Sequence, residues 1–333
     1  MKEKYGKIYL TVVIPTLNRD RLLSKTLESI SLQTLSQENF EVIVVDNGST
    51  DNTKNVVEGY KGTIKQLMYI YESSFGLHVG RNRGFQMANG DFIVYADDDI
   101  YAFPTWLEVI LNTFNQSVKI GLVGGSNLPC FEEKQPNWFE QLWQENKYGR
   151  IMGAYSLIDF GDIPKEIESG FVWGCNYAIR KDILKLIGGF NPDGMPNDLI
   201  FYRGDGETAV SKKVTQLGYK TYFHPHASVF HHVSSSRMTY EYLKKRYYAQ
   251  GISDSYTLIR DKGYVLHSDL ITLKLNNEQK KQIAIKDDLL DLTQSSYWQG
   301  YYNHHVAVYK NKNLLDWILK ENYLGENGIV KYL

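Results

Sequence analysis

Apolar, β-branched runs alternate with amphipathic segments through the first hundred positions. Residues 9–14 (YLTVVI), 40–45 (FEVIVV), 67–71 and 92–95 each read as a strand. Between them, residues 21–32 set Leu22, Leu23, Leu27 and Ile30 at helical spacing. A second helix starts with the polar Ser49-Thr50-Asp51, and residues 79–88 read as a third. Strands that are apolar throughout and separated by helices predict a parallel sheet covered on both faces.

The pattern then loosens. Residues 120–123 read as a strand. Residues 127–168, with Pro129, Pro136, Pro164 and several Trp and acidic positions, read as a long insertion with short helices. Order returns over 171–179, followed by a helix over 181–187 that stops at Gly188-Gly189. A further helix spans about 207–217 and ends at Gly218, and a strand follows at 220–223. From Thr239 the character changes: residues 240–255 are helical, aromatic and locally basic, and 278–292 are charged and helical. No repeat, linker or low-complexity tract interrupts the 333 residues. The expected organisation is a catalytic domain over 1–238, with halves of about 1–125 and 126–238, and a helical extension over 239–333.

Composition narrows the class. Hydrophobic residues are 43% and charged residues 23%, as in a folded globular protein. The formal net charge of −1 argues against a dedicated nucleic-acid binder, so no nucleic-acid partner is expected. Two cysteines, Cys130 and Cys175, build neither a disulfide framework nor a four-cysteine zinc site. A reducing, cytoplasmic compartment is the simplest expectation. The apolar stretch near the N-terminus ends in Pro-Thr-Leu-Asn-Arg and reads as a strand, not a signal peptide. Aromatics reach 14%, with 25 Tyr, which suits a grip on a ligand such as a sugar ring but also ordinary packing.

The chemistry-bearing segments sit where strands end. Pro15, Thr16, Asn18 and Arg19 follow the first strand, at the edge where open α/β sheets bind ligands, although a plain strand-to-helix turn reads the same way. Asp46 and Ser49 follow the second; a carboxylate there accepts from a base or ribose, or else Asp46 to Asp51 form a turn and cap. Arg81 enters a helix and suits either a phosphate or solvent. Asp97-Asp98-Asp99 close an apolar strand. Three adjacent carboxylates repel one another, and a divalent cation such as Mg²⁺ or Mn²⁺ relieves that repulsion. Asp205 and Glu207 flank Gly206 at a helix start, as caps or as a carboxylate base on a glycine turn. Gly204-x-Gly206-x-x-Ala209 formally matches a dinucleotide fingerprint but lacks the βαβ context. His224, His226, His231 and His232 lack the spacing of a zinc site; His231 is expected near the active site and the other three as structural or surface residues.

Seven segments in this order, VVIPTLNR, EVIVVDNGSTDNT, GRNRGF, NGDFIVYADDD, WGCNYAIRKDILKLIGGFN, GDGETAVSKKVTQLGYK and PHASVFHH, resemble glycosyltransferase family 2 over about residues 8–255. The resemblance implies a GT-A fold: a Rossmann-like α/β mixed sheet flanked by helices, here with a helical C-terminal extension. It implies inverting transfer from a nucleotide diphosphate sugar, usually a UDP-sugar, with Mn²⁺ or Mg²⁺. Pro15, Thr16, Asn18 and Arg19 would line the nucleotide pocket, and Asp46 would contact the base with Ser49 close by. Arg81 would lie by the phosphates or ribose, and Asp97 would face the ribose. Asp98 would be secondary, and Asp99 would face the metal, with His231 near it. The later acidic motif usually reads Glu-Asp with Asp as the base. In this chain that position falls on Glu207, Gly206 replaces the usual Glu, and Asp205 stands in reserve.

The acceptor would be a glycan or a lipid-linked sugar, in surface polysaccharide or glycoconjugate synthesis. Arg237, Lys244, Lys245, Arg246, Arg260 and Lys262 with their neighbouring tyrosines suggest peripheral contact at the inner face of a membrane, or an ordinary solvated helix. Residues 297–302 and Trp317 suggest helical packing or oligomer contact. Two other readings differ in chemistry. A nucleotidyltransferase would need a glycine-rich loop after the first strand, which VVIPTLNR lacks. A non-catalytic nucleotide-sugar-binding scaffold fits the altered Gly206 but not the retained Asp97, Asp99 and Glu207.

Overall fold

The computed structural model describes residues 7–283, 289–325 and 329–333. The first six residues, and positions 284–288 of the helix expected over 278–292, lie outside the described residues.

The expected alternation is present: β1 (Leu10–Thr16), α1 (Asp20–Ser31), β2 (Phe40–Asp46), α2 (Thr53–Tyr60), β3 (Leu67–Tyr71), α3 (Leu77–Met87) and β4 (Phe92–Ala96). β1 pairs in parallel with β2 and β4, and β2 with β3. Every residue of β1, β2 and β4 is buried, which is why these strands read as unbroken apolar runs. After β5 (Ile100–Ala102), α4 (Trp106–Gln116) lays Trp106, Leu107, Ile110 and Phe114 on one side of the sheet. The sheet continues through β6 (Ile120–Gly124).

Residues 127–168 depart from expectation. They form β7 (Asn127–Phe131), β8 (Gln144–Asn146), β9 (Gly149–Met152), β10 (Leu157–Asp159) and β11 (Lys165–Ile167), with short 3₁₀ turns between some of them. These strands are three to five residues long and mostly half-buried, and β7 pairs with a strand about a hundred residues later. Local periodicity carries no sign of such pairing.

The chain closes the main sheet with β12 (Asn176–Arg180), α5 (Lys181–Ile187), α6 (Glu207–Gln216) and β13 (Lys220–Phe223), before β14 (Val229–Val233). The order is β11-β13-β6-β12-β4-β1-β2-β3, with β12 antiparallel to both β4 and β6. The sheet is therefore mixed, as the expected fold class requires. A second sheet runs β5-β14-β7-β10-β9-β8, with β5 following β4 and β7 following β6 in the chain.

Among the described residues four α-helices follow: α7 (Tyr240–Lys262), α8 (His267–Ile283), α9 (Leu289–Lys310) and α10 (Lys312–Ile318). α7 and α9 pack at backbone contact. A Cβ on Gly251 would lie 2.0 Å from the Tyr297 carbonyl oxygen, so only glycine admits that approach. Trp317 is buried and donates its indole N–H to the Tyr202 carbonyl at 2.9 Å, so it packs inward within the chain. The basic stretch also turns partly inward. Arg260 donates to the carbonyls of Ile318 and Glu321, and Arg237 reaches Asp99. Among the described residues no helix is long and apolar enough to cross a membrane.

Candidate active site

The site forms where β1, β2 and β4 end on one edge of the sheet. The loop after β1 and the loop after β2 are laced together. Asn18, at φ +54°, donates its backbone N–H to Ser49 Oγ at 2.8 Å, and its Oδ1 accepts from the Thr50 N–H at 2.7 Å. Asp46 is buried; it accepts from the Ser49 N–H and from the Tyr69 hydroxyl, both at 2.7 Å. Burial and that bond to Asp46 raise the Tyr69 pKa above its ordinary value. Asp51 takes the turn role, accepting from the Thr53 N–H and hydroxyl. Asp46 and Asp51 thus share the turn after β2, and Pro15, Thr16, Arg19, Asn47, Asp97 and Asp98 border a cavity of about 380 Å³.

The three aspartates have different surroundings. Asp98 accepts from Thr16 Oγ1 at 2.7 Å and pairs with Arg19 at 2.7 Å; burial still pushes its carboxyl up to about 7, against the pull of Arg19. Asp99 pairs with Arg19 at 2.5 Å, with His231 Nε2 at 3.3 Å and with Arg237 at 3.7 Å. Burial opposes its charge, but His231, Arg19 and Arg237 together hold its carboxyl well below the ordinary range. Asp97 is the most open of the three. Burial raises its pKa while Arg81, 3.5 Å away, draws it down.

The residues present fit a divalent cation. His231 Nδ1 lies 2.9 Å from the Tyr155 carbonyl oxygen, which can only accept, so Nδ1 carries a proton. A proton on Nε2 would pair it with Asp99 Oδ1, 3.3 Å away and otherwise without a hydrogen-bond partner; in the neutral ring Nε2 presents a lone pair there instead. Two lone pairs face each other stably only with a proton or a cation between them. Asp97, His231 and Cys175 bring ligand atoms within 4.8 Å of one another. Burial pushes the Cys175 thiol well up, so it stays protonated, and the carboxylates and imidazole are the donors suited to Mn²⁺ or Mg²⁺.

Glu207 begins α6 on the turn at Gly206, whose φ of +48° disfavours any side chain and whose Cβ would press on Asp193. That turn accounts for glycine where the family pattern has Glu. It aims Glu207 at Arg81, which donates to it at 3.1 Å, while the Gly174 N–H donates to its other oxygen at 3.2 Å. Arg81 is buried over the Phe190 ring and bridges Glu207 to Asp97. Asp205 does not join this cluster. Its two oxygens accept from Asn191 and from Thr257 on α7, and burial raises its pKa.

Other contributors left little trace in the sequence. Tyr155 orients His231, and Arg237 reaches Asp99 from a stretch that reads as basic surface. Trp173, Arg246, Tyr247 and Gln250 line a second cavity, of about 350 Å³, that adjoins Glu207. His224, His226 and His232 stay outside the metal-competent group.

This arrangement has relatives. The chain is 38% identical over 104 residues to a validoxylamine A glucosyltransferase of Streptomyces hygroscopicus subsp. limoneus, covering 31% of this chain but only 23% of that protein. It is 22% identical over 248 residues to the glucosyl-dolichyl phosphate glucuronosyltransferase of Haloferax volcanii, covering 74% and 76% of the two chains. The fold matches that of a mannosyltransferase from Pyrobaculum calidifontis, solved with GDP-Man and Mn²⁺, with a TM-score of 0.54 and 16% identity over 92% of this chain and 90% of that one. The model for the family described as "Glycosyl transferase family 2" matches residues 11–188, from β1 through the acidic strand end to the close of α5. The chain belongs to that family of glycosyltransferases, as its seven ordered motifs imply.

Proposed function

We propose that this protein transfers a sugar, with inversion, from a nucleotide diphosphate donor, a UDP-sugar foremost, to an acceptor hydroxyl on a glycan or lipid-linked sugar. One observation carries the reading: Arg81 joins Asp97 on the border of one cavity to Glu207 on the border of the other. A donor seated by Asp97 and an acceptor seated by Glu207 would meet over a single guanidinium.

In this reading the donor nucleotide lies along Pro15, Thr16, Asn18 and Arg19. Asp46 accepts from the base, beside Ser49, and Asp97 faces the ribose. Asp98 fastens Arg19 and Thr16 rather than touching the donor. Asp99 and His231 would hold Mn²⁺ or Mg²⁺, which supplies positive charge against the leaving diphosphate. Glu207 takes the acceptor proton as the acceptor oxygen bonds to the anomeric carbon. The carbon–oxygen bond to the diphosphate breaks, and its electron pair leaves with the diphosphate. One displacement inverts the anomeric centre. Residues 1–238 supply the donor half and the base, and residues 239–333 complete the acceptor side. The free cysteines Cys130 and Cys175 suit a reducing cytoplasm, where this activity would serve glycoconjugate synthesis.

The test is a thermal-shift screen of nucleotides and nucleotide sugars with and without Mn²⁺, followed by NMR of the product anomer. A metal-dependent rise with a uridine nucleotide and an inverted product are expected. No shift with any nucleotide, or a retained configuration, would overturn the reading.

A further inference from the structure

The cavity beside Glu207 contains a cation that the transfer step leaves unused. Arg246, on α7, lines it together with Gln144, Trp173, Glu207, Tyr247 and Gln250. Its guanidinium donates to the neutral Gln250 Oε1 at 3.5 Å. Among the described residues no carboxylate lies within ion-pair distance of it. The two that act on it electrostatically are engaged elsewhere, Asp193 with Arg203 at 2.8 Å and Glu207 with Arg81 at 3.1 Å. Burial, with Arg203 nearby, pulls Arg246 below its ordinary pKa, the mark of a charge held without compensation.

A guanidinium carries five N–H donors in a planar fork. One is spent on Gln250, and the side chain borders a space also lined by Trp173 and Tyr247. The Trp173 indole N–H is fixed on the Gly170 carbonyl at 2.9 Å, which holds its ring in place. Aromatic faces suit a sugar ring, and the fork suits a planar or tetrahedral anion bound through two oxygens.

We propose that the acceptor is anionic and that Arg246 binds its phosphate or carboxylate next to the hydroxyl presented to Glu207. This rests on the proposed reading of Glu207 as the acceptor-side base. It deepens that reading by naming the acceptor class and a specificity residue. A neutral acceptor would leave the half-buried guanidinium without an anionic partner, so the site selects by charge as well as shape.

Binding measured by ligand-observed NMR, with UDP and Mn²⁺ present, tests it without requiring turnover. The probes are methyl β-glucoside, methyl β-glucuronide, glucose 6-phosphate and decyl phosphate, each with wild type, R246Q and R246K. An anionic sugar is expected to bind about tenfold or more tighter than the neutral glucoside in wild type. That preference disappears in R246Q and survives in part in R246K. A larger Arg246-dependent gain for decyl phosphate than for glucose 6-phosphate assigns the anion to a lipid headgroup; the reverse assigns it to the glycan. Equal affinity for charged and neutral probes in wild type, binding of none of them, or a preference that persists in R246Q overturns the proposal. The nucleotide thermal shift is read separately, so failure on the donor side is distinguishable from failure here.

Discussion

Arg81 and Glu207 meet at 3.1 Å although 126 residues separate them in the chain. The contact ties a helix of the nucleotide-binding half to the first residue of α6, and Asp97 closes it from the other side at 3.5 Å. The proposed meeting of donor and acceptor depends on this three-residue bridge.

Glu207→Gln preserves the hydrogen-bonding shape but removes the carboxylate proposed as the base. It is expected to lower turnover by about 10²–10⁴-fold while leaving the nucleotide-induced thermal shift in place. Asp205→Asn, which alters a carboxyl engaged with Asn191 and Thr257, is expected to cost stability and to spare most of the turnover. Steady-state kinetics on both variants decide between them, and a fully active Glu207→Gln would rule Glu207 out as the base.

Asp99→Asn and His231→Ala each remove one side of the lone-pair confrontation at 3.3 Å. Mn²⁺ affinity, followed by electron paramagnetic resonance with UDP present, is expected to fall by about 10–100-fold in each. Unchanged Mn²⁺ binding in both would place the cation elsewhere.

Gly251→Ala forces a methyl group to within 2.0 Å of the Tyr297 carbonyl oxygen, so α7 and α9 must separate. The expected cost is about 1–3 kcal/mol. Gly59→Ala on α2 meets nothing within 4 Å and is expected to stabilise by about 0.5–1 kcal/mol. Calorimetry on the pair should show melting temperatures moving in opposite directions.

His78 and His304 are buried, and burial lowers their pKa values to about 4 and about 3. The unfolded chain binds their protons below about pH 6.5 while the folded chain refuses them. Their contribution to stability is therefore complete above about pH 6.5 and falls as pH drops towards 4. The loss reaches about 3 kcal/mol for a group shifted this far. His304→Gln should flatten the acid side of the profile relative to wild type in urea unfolding at pH 7, 6, 5 and 4. A parallel profile would mean that His304 takes up its proton without unfolding.

The boundaries most legible in the sequence belong to elements whose residues all face the interior or whose ends carry strong punctuation. β2 and β4 were visible because both faces are covered, and α5 because Gly188 takes the left-handed turn at φ +90°. β13 was bounded on one side by Gly218. The strands within 127–168 were hidden because they are short and take their pairing from residues far along the chain. Arg237 and Arg246 read as basic surface, since a cation's partners, or their absence, are set by what folds over it.

The sequence by itself determined that this is an α/β chain with polar residues gathered where apolar strands end, because burial on both faces demands unbroken hydrophobicity and the loops beyond it escape that demand. It also determined the family, through motifs whose order survives even where Gly206 departs. Only the tertiary structure decided which acidic residue near that glycine meets Arg81. A positive φ at Gly206 turns Glu207 towards Arg81, whereas Asp205 is captured by Asn191 and Thr257. Residues two apart in the chain are neighbours in sequence, but their chemistry is fixed by partners 14 to 126 positions away, and only a folded chain brings those partners to them.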